Sequence, residues 1–454
     1  MASNKRLRNT PKLAGIITLA TLLLASSAIA VPVERWNRTF GGEGHDYIYS
    51  VSQAQDGGFI LAGLTWSYGA GKKDAWVIKT DANGSEQWNR TFGGNSSDEA
   101  LCAQQTADGG FIIAGATTTH EKRNIENSVF GNMDSAIIKA WLIKIDASGS
   151  EQWNRTFGEI GIRGANSVRQ TRDGGYIMSG IAAPFGEDGS ANAWLVKTDA
   201  NGTMEWNMTF GNTLFGEAKS VRQTSDGGYI MAGYTQSDHD IAWLVKVDAN
   251  GSEQWNRTLN ENKFDESQSV QQTRDGGYIV AGWTAGDDAW LIKTDANGSL
   301  QWKKKFGGAG YDFAFSVQQA QDGGYIIGGS TRSYGAGESN AWLISTDANG
   351  SEQWNRTFGG IENNGIYSVQ EIGNGEYVLA GFTESYGAGG ADGWLIKAGG
   401  TGYVQPAVTI FPKKTESQKP VSQTPDKKNM PGFEVAIAVL SVVILSLKKK
   451  CEWL

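Results

Sequence analysis

Cysteine, histidine and proline are scarce in this chain of 454 residues, at 2, 3 and 8 respectively. Two cysteines, Cys102 in a strand-like run and Cys451 near the C-terminal end, make no disulfide framework, so a fold has to hold by packing. His45, His120 and His239 lie in three separate segments without ligand spacing, which argues against a zinc site. Long apolar runs occur only near the two ends, at residues 13–24 and 435–447. Positive charge is short as well: the formal net charge is −8, and residues 1–30 carry basic but no acidic side chains, so the remainder is more acidic still. Such a surface disfavours nucleic acid as a partner.

What the chain has is glycine (61), tryptophan (17) and a sentence of about fifty residues repeated seven times. One tryptophan of the repeat recurs at 36, 88, 153, 206, 255, 302 and 354, the other at 76, 141, 194, 243, 290, 342 and 394. Four short runs make up each unit, and a fixed period of this kind is the mark of a propeller. SVxQT and YIxAGxT are separated by Asp-Gly-Gly, and AWLIKTD is joined to the run ending WNRTF by Ala-Asn-Gly, both hairpin turn chemistries. We label the four strands A to D. The first copy opens at strand D (Val33 to Phe40) and the last stops at strand C (Trp394 to Lys397), so these pieces are expected to pair. The fold expected is all-β: a seven-bladed β-propeller of four-stranded blades over residues 31–398, closed by one N-terminal and three C-terminal strands, with an N-terminal signal and a C-terminal apolar segment.

Variation in length falls between strands B and C, where the spacing takes 11, 24, 12, 8, 6, 11 and 11 residues. Loops on a rigid scaffold are where binding is commonly built, so the B–C and D–A loop end is the candidate face. Blades 6, 7 and 1 share Ser-Tyr-Gly-Ala-Gly loops beginning at Ser333, Ser385 and Ser67. Blade 2 carries the largest insertion, Thr118 to Ala140, and blade 3 a loop at Pro184. Trp66, Tyr68, Tyr334 and Tyr386 are ligand candidates, because exposed aromatics stack on sugar rings or anchor proteins; packing down onto the glycine loops is the competing role. Asp46, Asp98, Asp265 and Asp312 share one position in the D–A loops and are expected to fix those loops or to meet a cation or polar ligand. Gln53, Gln105, Gln170, Gln223, Gln272 and Gln319, with Glu371 in the seventh place, form a ring expected to be hydrogen bonded near the channel.

The ends read differently. Residues 1–30 place Lys5, Arg6, Arg8 and Lys12 before an apolar run and close on Ala-Ile-Ala, the pattern of a signal peptide. Residues 399–430 are rich in Pro, Lys, Ser and Thr and read as a spacer. Residues 431–454 begin Pro431-Gly432-Phe433, continue apolar and reach Lys448-Lys449-Lys450; the apolar part is short for a spanning helix. That order resembles the PGF-type sorting signal of archaeal surface proteins. The resemblance implies an archaeosortase-type processing enzyme, a lipid anchor in place of the membrane segment, and a cell-surface location. The repeats are also similar to those of large methanogen and bacterial surface proteins.

Sequons at Asn37, Asn89, Asn154, Asn207, Asn256 and Asn355 fall in strand D, and others in the Asn-Gly turns, so glycans would decorate the rim and the constant end. Asp-x-Asn-Gly offers oxygens that calcium could use, but the third acid of a calcium loop is missing and turn capping is expected; no other cofactor is. The spacing D-x-x-G-x-x-x-W, as in Asp81, Gly84 and Trp88, resembles the tryptophan-docking motif of quinoproteins shortened by one residue, which implies packing of each Trp against the next blade. The function expected is a non-enzymatic envelope module that recognises polysaccharide or protein through the loop face. The rival is a polysaccharide-acting hydrolase or lyase, for which Glu187, Asp188 and Asp238 are the available acids, unmarked by any motif.

Overall fold

In the computed structural model, residues 31–123, 133–158, 162–183, 191–211, 215–236, 240–259, 265–284 and 288–400 are described. The signal peptide, nearly all of the spacer, Pro431, Gly432, Phe433 and the rest of the sorting segment lie outside them, as do the Pro184 loop, Glu187, Asp188 and Asp238.

The chain forms seven four-stranded antiparallel sheets, each a meander of consecutive strands except the last. Blade 1 comprises Asp46–Gln53 (A), Phe59–Thr65 (B), Asp74–Thr80 (C) and Glu86–Phe92 (D). Blade 7 comprises Asn364–Gly373, Glu376–Thr383 and Asp392–Gly399, and its strand D is Val33–Phe40, paired from Val33 opposite Gly399 to Phe40 opposite Gly393. The protein is therefore a seven-bladed propeller closed in the one-plus-three manner expected. Each strand A contacts strand A of both neighbouring blades, so these strands form the inner ring; strand D lies outermost and is largely exposed. Among the described residues no helix is long and apolar enough to cross a membrane.

Tryptophan holds blade to blade. The strand D indoles lie 5.8–6.3 Å from the aromatic ring that opens strand B of the following blade, as in Trp36 with Phe59 and Trp302 with Tyr325. Glycine is required where that indole crosses the next turn: Gly84, at φ 78°, would place a Cβ 2.5 Å from Trp36. The second set, Trp76, Trp194, Trp290, Trp342 and Trp394, is among the largest fully buried side chains. Such indoles bury ~150–250 Å² each, the kind of area that lets a ring dispense with disulfides.

A second device closes the constant end. Lys79, Lys144, Lys197, Lys246 and Lys293 are buried on strand C and reach the Asp of their own Asp-Gly-Gly turn at 2.7–2.9 Å. Each ammonium also donates to a strand C carbonyl, for instance Lys293 to Thr294 at 2.8 Å. Blade 6 has Ser345 in that place, and blade 7 keeps the lysine, Lys397, but pairs it with Glu376 at the start of strand B at 2.9 Å.

Blade 2 departs from a simple loop. Its strands B and C run to 13 residues each, Phe111–Arg123 and Met133–Ile145, paired as far as Arg123 opposite Met133. The insertion continues the sheet, and its first two rungs pair β-branched residues on both strands, Thr118 with Ile138 and Thr119 with Ile137.

Candidate functional site

The loop-face aspartates are bound up in the loops themselves. Asp46 accepts from Gly42 N–H at 2.9 Å and from the Ser67 hydroxyl at 2.6 Å; Asp312 does the same with Gly308 and Ser333. Asp98 accepts from Gly94 N–H at 3.0 Å and from the Thr117 hydroxyl at 2.5 Å. Asp265 is buried with Lys303 3.9 Å away; burial pushes its carboxyl above the ordinary range, against the pull of Thr284 and two lysines. Asp46 and Asp312 thus tie strand A to the B–C loop of the same blade, while Asp98 ties it to strand B through Thr117. The turn aspartates are committed too: Asp81 accepts from Asn83 and Ser85 N–H, both at 2.8 Å. Among the described residues no group of three or more His, Cys, Asp or Glu is set to hold a metal ion.

The three loop tyrosines pack at a tilt of 41–48° against the buried strand C indoles, Tyr68 on Trp76, Tyr334 on Trp342 and Tyr386 on Trp394, at 5.7–5.9 Å. Tyr68 and Tyr334 donate their hydroxyls to the carbonyls of Gly41 and Gly307 at 2.6 and 2.7 Å. They remain 40–46% exposed, but they sit away from the channel. Trp66 differs, since it stands edge-on to Tyr47 on the inner strand at 6.4 Å and to His45 at 5.6 Å.

From Trp66 a continuous aromatic wall runs around the loop end of the channel. Tyr47 packs on Tyr49 (6.4 Å) and on Phe382 (5.3 Å). Tyr49 meets Tyr367 at 5.2 Å, Tyr367 meets Phe315 at 5.3 Å, and Phe315 meets Phe313 at 6.0 Å. All but Trp66 and Phe382 stand on strand A of blades 6, 7 and 1. The matching positions on blades 2 to 5 are polar or charged apart from Leu101 and Gly164: Glu99, Asn166, Glu217, Lys219, Glu266 and Gln268. Glu99 pairs with Lys73, and Glu217 with Lys219 at 2.8 Å. Glu217 also accepts from Asn166 at 2.8 Å and from Tyr234 at 3.0 Å. Tyr49 turns a buried hydroxyl without a hydrogen-bond partner among the described residues, and burial followed by Glu99 holds its pKa well above the ordinary range. The mouth is thus aromatic on one arc and polar on the other.

The glutamine ring lies at the opposite end of the channel. Gln105, Gln170, Gln223, Gln272 and Gln319 each accept a turn N–H from the preceding blade at 2.7–3.0 Å, and Glu371 accepts that of Gln321. The sequon asparagines stand on the outer strand; Asn89, Asn154 and Asn256 are exposed, Asn207 likewise, while Asn37 and Asn355 are half-buried. Five of them donate to a Glu three residues earlier, as Asn154 does to Glu151 at 2.5 Å.

No family model and no curated protein matches the chain. Among solved structures it is similar to a protein of unknown function from Dyadobacter fermentans, with 13% identity over 81% of this chain and 98% of that one, TM-score 0.46. It is similar to Sqt1 from Chaetomium thermophilum at 11% identity, covering 77% and 83%, TM-score 0.47. A puromycin hydrolase gives 12% identity over 76% of this chain and 50% of that one, TM-score 0.48. Likenesses this distant bear on fold alone, and the seven-bladed ring rests on the strand pairing itself.

Proposed function

We propose that this protein is a non-enzymatic binding module of the cell surface, exported and held there through its C-terminal segment, that recognises an extracellular carbohydrate chain at the loop end of its channel. The observation that carries the reading is the aromatic arc facing a polar arc. Pyranose rings present an apolar face to aromatic rings and hydroxyls at their edges, and the mouth offers Tyr49, Tyr367 and Phe315 for the first and Glu266, Gln268 and Lys219 for the second. The near-identity of the blades elsewhere supports a scaffold, since the asymmetry of the site is confined to a few positions of the inner strand.

A glycan and envelope-polymer array probed with the purified chain, with calcium and with chelator, tests this. Saturable binding that is lost in Tyr367→Ala and Phe315→Ala but kept in Tyr68→Phe supports the inner arc as the site. Binding that survives both inner changes, or no binding in either condition, overturns it.

A further inference from the structure

Below the aromatic mouth the free edge of each strand A faces the channel, and its inward N–H groups are capped by side chains of the preceding blade. At the level of the conserved-looking Ser-Val pair, serine does this: Ser368 accepts from Val51, Ser167 from Val221, Ser220 from Val270, Ser269 from Val317 and Ser316 from Val369, at 3.2–3.4 Å. Two residues further along, glutamine does it: Gln370 accepts from Gln53 N–H, Gln104 from Gln170, Gln271 from Gln319 and Gln318 from Glu371, at 2.6–3.1 Å. Capping commits the carbonyl oxygen of each of these four amides, so the free end that remains is an NH₂ donor.

Blades 3 and 4 break the pattern with Arg169 and Arg222 in the glutamine position. A guanidinium has no acceptor, so the inward N–H groups of Gln223 and Gln272 on the following blades lose the cap their counterparts have. Arg169 donates to the Val168 carbonyl at 2.6 Å and to Cys102 Sγ at 3.2 Å; Arg222 donates to the Val221 carbonyl at 2.9 Å. Neither forms an ion pair with a carboxylate among the described residues. Burial and then the neighbouring Arg169 push the Arg222 pKa down to about 9, against a pull upward from Cys102. Cys102 replaces serine in the ring above. Burial raises its thiol, but Arg169, a Val168 hydrogen bond and Arg222 together hold it below the ordinary range. One level of the channel of an acidic protein therefore presents two adjacent cations, four amide donors, the Ser52 hydroxyl and no carboxylate.

We propose that this level of the channel is an oxyanion site, in which Arg169 and Arg222 take a sulfate, phosphate or carboxylate group while the ring of Gln104, Gln271, Gln318 and Gln370 supplies further N–H donors. Two half-buried guanidiniums on adjacent inner strands repel each other, and an oxyanion between them relieves the repulsion while filling fork-shaped donor geometry. The site stands independently of the mouth, because a neutral sugar on the aromatic arc never needs it. The ligand source is either a free ion or a charged group on a chain that threads the mouth.

Sulfate, phosphate and acetate titrated calorimetrically into the full chain at low ionic strength, against chloride, test the proposal. The informative variant is Arg169→Gln with Arg222→Gln, since four other blades carry glutamine there and the fold already accepts it. Saturable sulfate or phosphate binding that weakens by about tenfold or more in the double variant is the expected result. The melting temperature of the unliganded variant is expected to equal or exceed that of the parent. Heats no different from chloride, or equal affinity in the double variant, overturn the site. A sulfated polysaccharide as second probe assigns the source: tighter binding than free sulfate, lost in the double variant, marks a charged chain, whereas displacement by neither probe of the other marks a free ion.

Discussion

Exchanging Lys293 and Asp275 one at a time separates two roles within a single contact. The Lys293 side chain is 4% exposed and the Asp275 side chain 57%, with 2.8 Å between Nζ and Oδ2. In Lys293→Met the carboxylate that loses its partner is already half in water and rehydrates. What is lost is the donor to the buried Thr294 carbonyl and to Gln301, so the cost is about 1–2 kcal/mol. In Asp275→Asn the turn keeps its shape and an acceptor, but a buried ammonium loses its counter-charge, which costs about 3–4 kcal/mol. At about 2 °C per kcal/mol for a chain of this size, the melting temperature falls by roughly 2–4 °C in the first and roughly 6–8 °C in the second. Thermal melts and urea midpoints of the two variants are the assay. If Lys293→Met proves as damaging as Asp275→Asn, the lysine is not held mainly by charge, and its neutral hydrogen bonds dominate the contact.

Acid should act on the same five contacts. Although burial pushes upward, hydrogen bonds from a threonine, a lysine and a backbone N–H bring Asp226 and Asp275 down to about 2, and Asp56, Asp108 and Asp173 are lowered as well. A depressed folded-state pKa contributes stability above the unfolded value and loses it as pH falls through the folded one, so the melting temperature should hold steady above about pH 5 and drop between about 4 and 2; a fall that starts near neutrality would contradict this. Tyr334→Phe removes the bond to the Gly307 carbonyl and should cost about 0.5–1.5 kcal/mol by urea midpoint without changing ligand binding. Glycopeptide mass spectrometry of the natively produced protein is expected to find sugar at the exposed Asn89, Asn154, Asn207 and Asn256 ahead of the half-buried Asn37 and Asn355; the reverse order would refute exposure as the determinant.

The ring was legible because its grammar is local. Asp-Gly-Gly and Ala-Asn-Gly set the hairpins, the closing Trp sets the blade contact, and the pairing of Val33–Phe40 with Asp392–Gly399 follows from where the first and last copies stop. The mouth was less legible, because variation in length marks the B–C loops, whereas Tyr47, Tyr49, Phe313, Phe315 and Tyr367 sit inside a strand of near-constant length. Their signal was present in a different form. Set at two and four residues before the repeated valine, they form an aromatic column over three adjacent blades. Arg169 and Arg222 occupy the residue after that valine in another two. The loop tyrosines could not be sorted by sequence, since whether Tyr68 faces solvent or Trp76 depends on how Gly41 and Gly42 bring the D–A loop beneath it.

A strand that closes a ring from within has a free edge, and a free edge ordinarily invites another strand. This protein answers with side chains of the neighbouring blade, serine at one level and glutamine at the next, so the inner strand alternates between positions fixed by capping and positions free to vary. Six of the seven copies keep serine before the valine, and six keep glutamine two residues after it, where the side chain seals the constant end. The residues at the mouth carry no such duty, which is why seven near-identical blades can there present tyrosine, glutamate, asparagine, lysine or phenylalanine without altering a single strand register. Arginine at a capping position is a different matter, because it gives up a backbone bond that four other blades make. A change that forfeits structure in two adjacent blades, and gathers two cations in doing so, calls for a compensating partner, and an oxyanion supplies one to the guanidiniums and the uncapped N–H groups together.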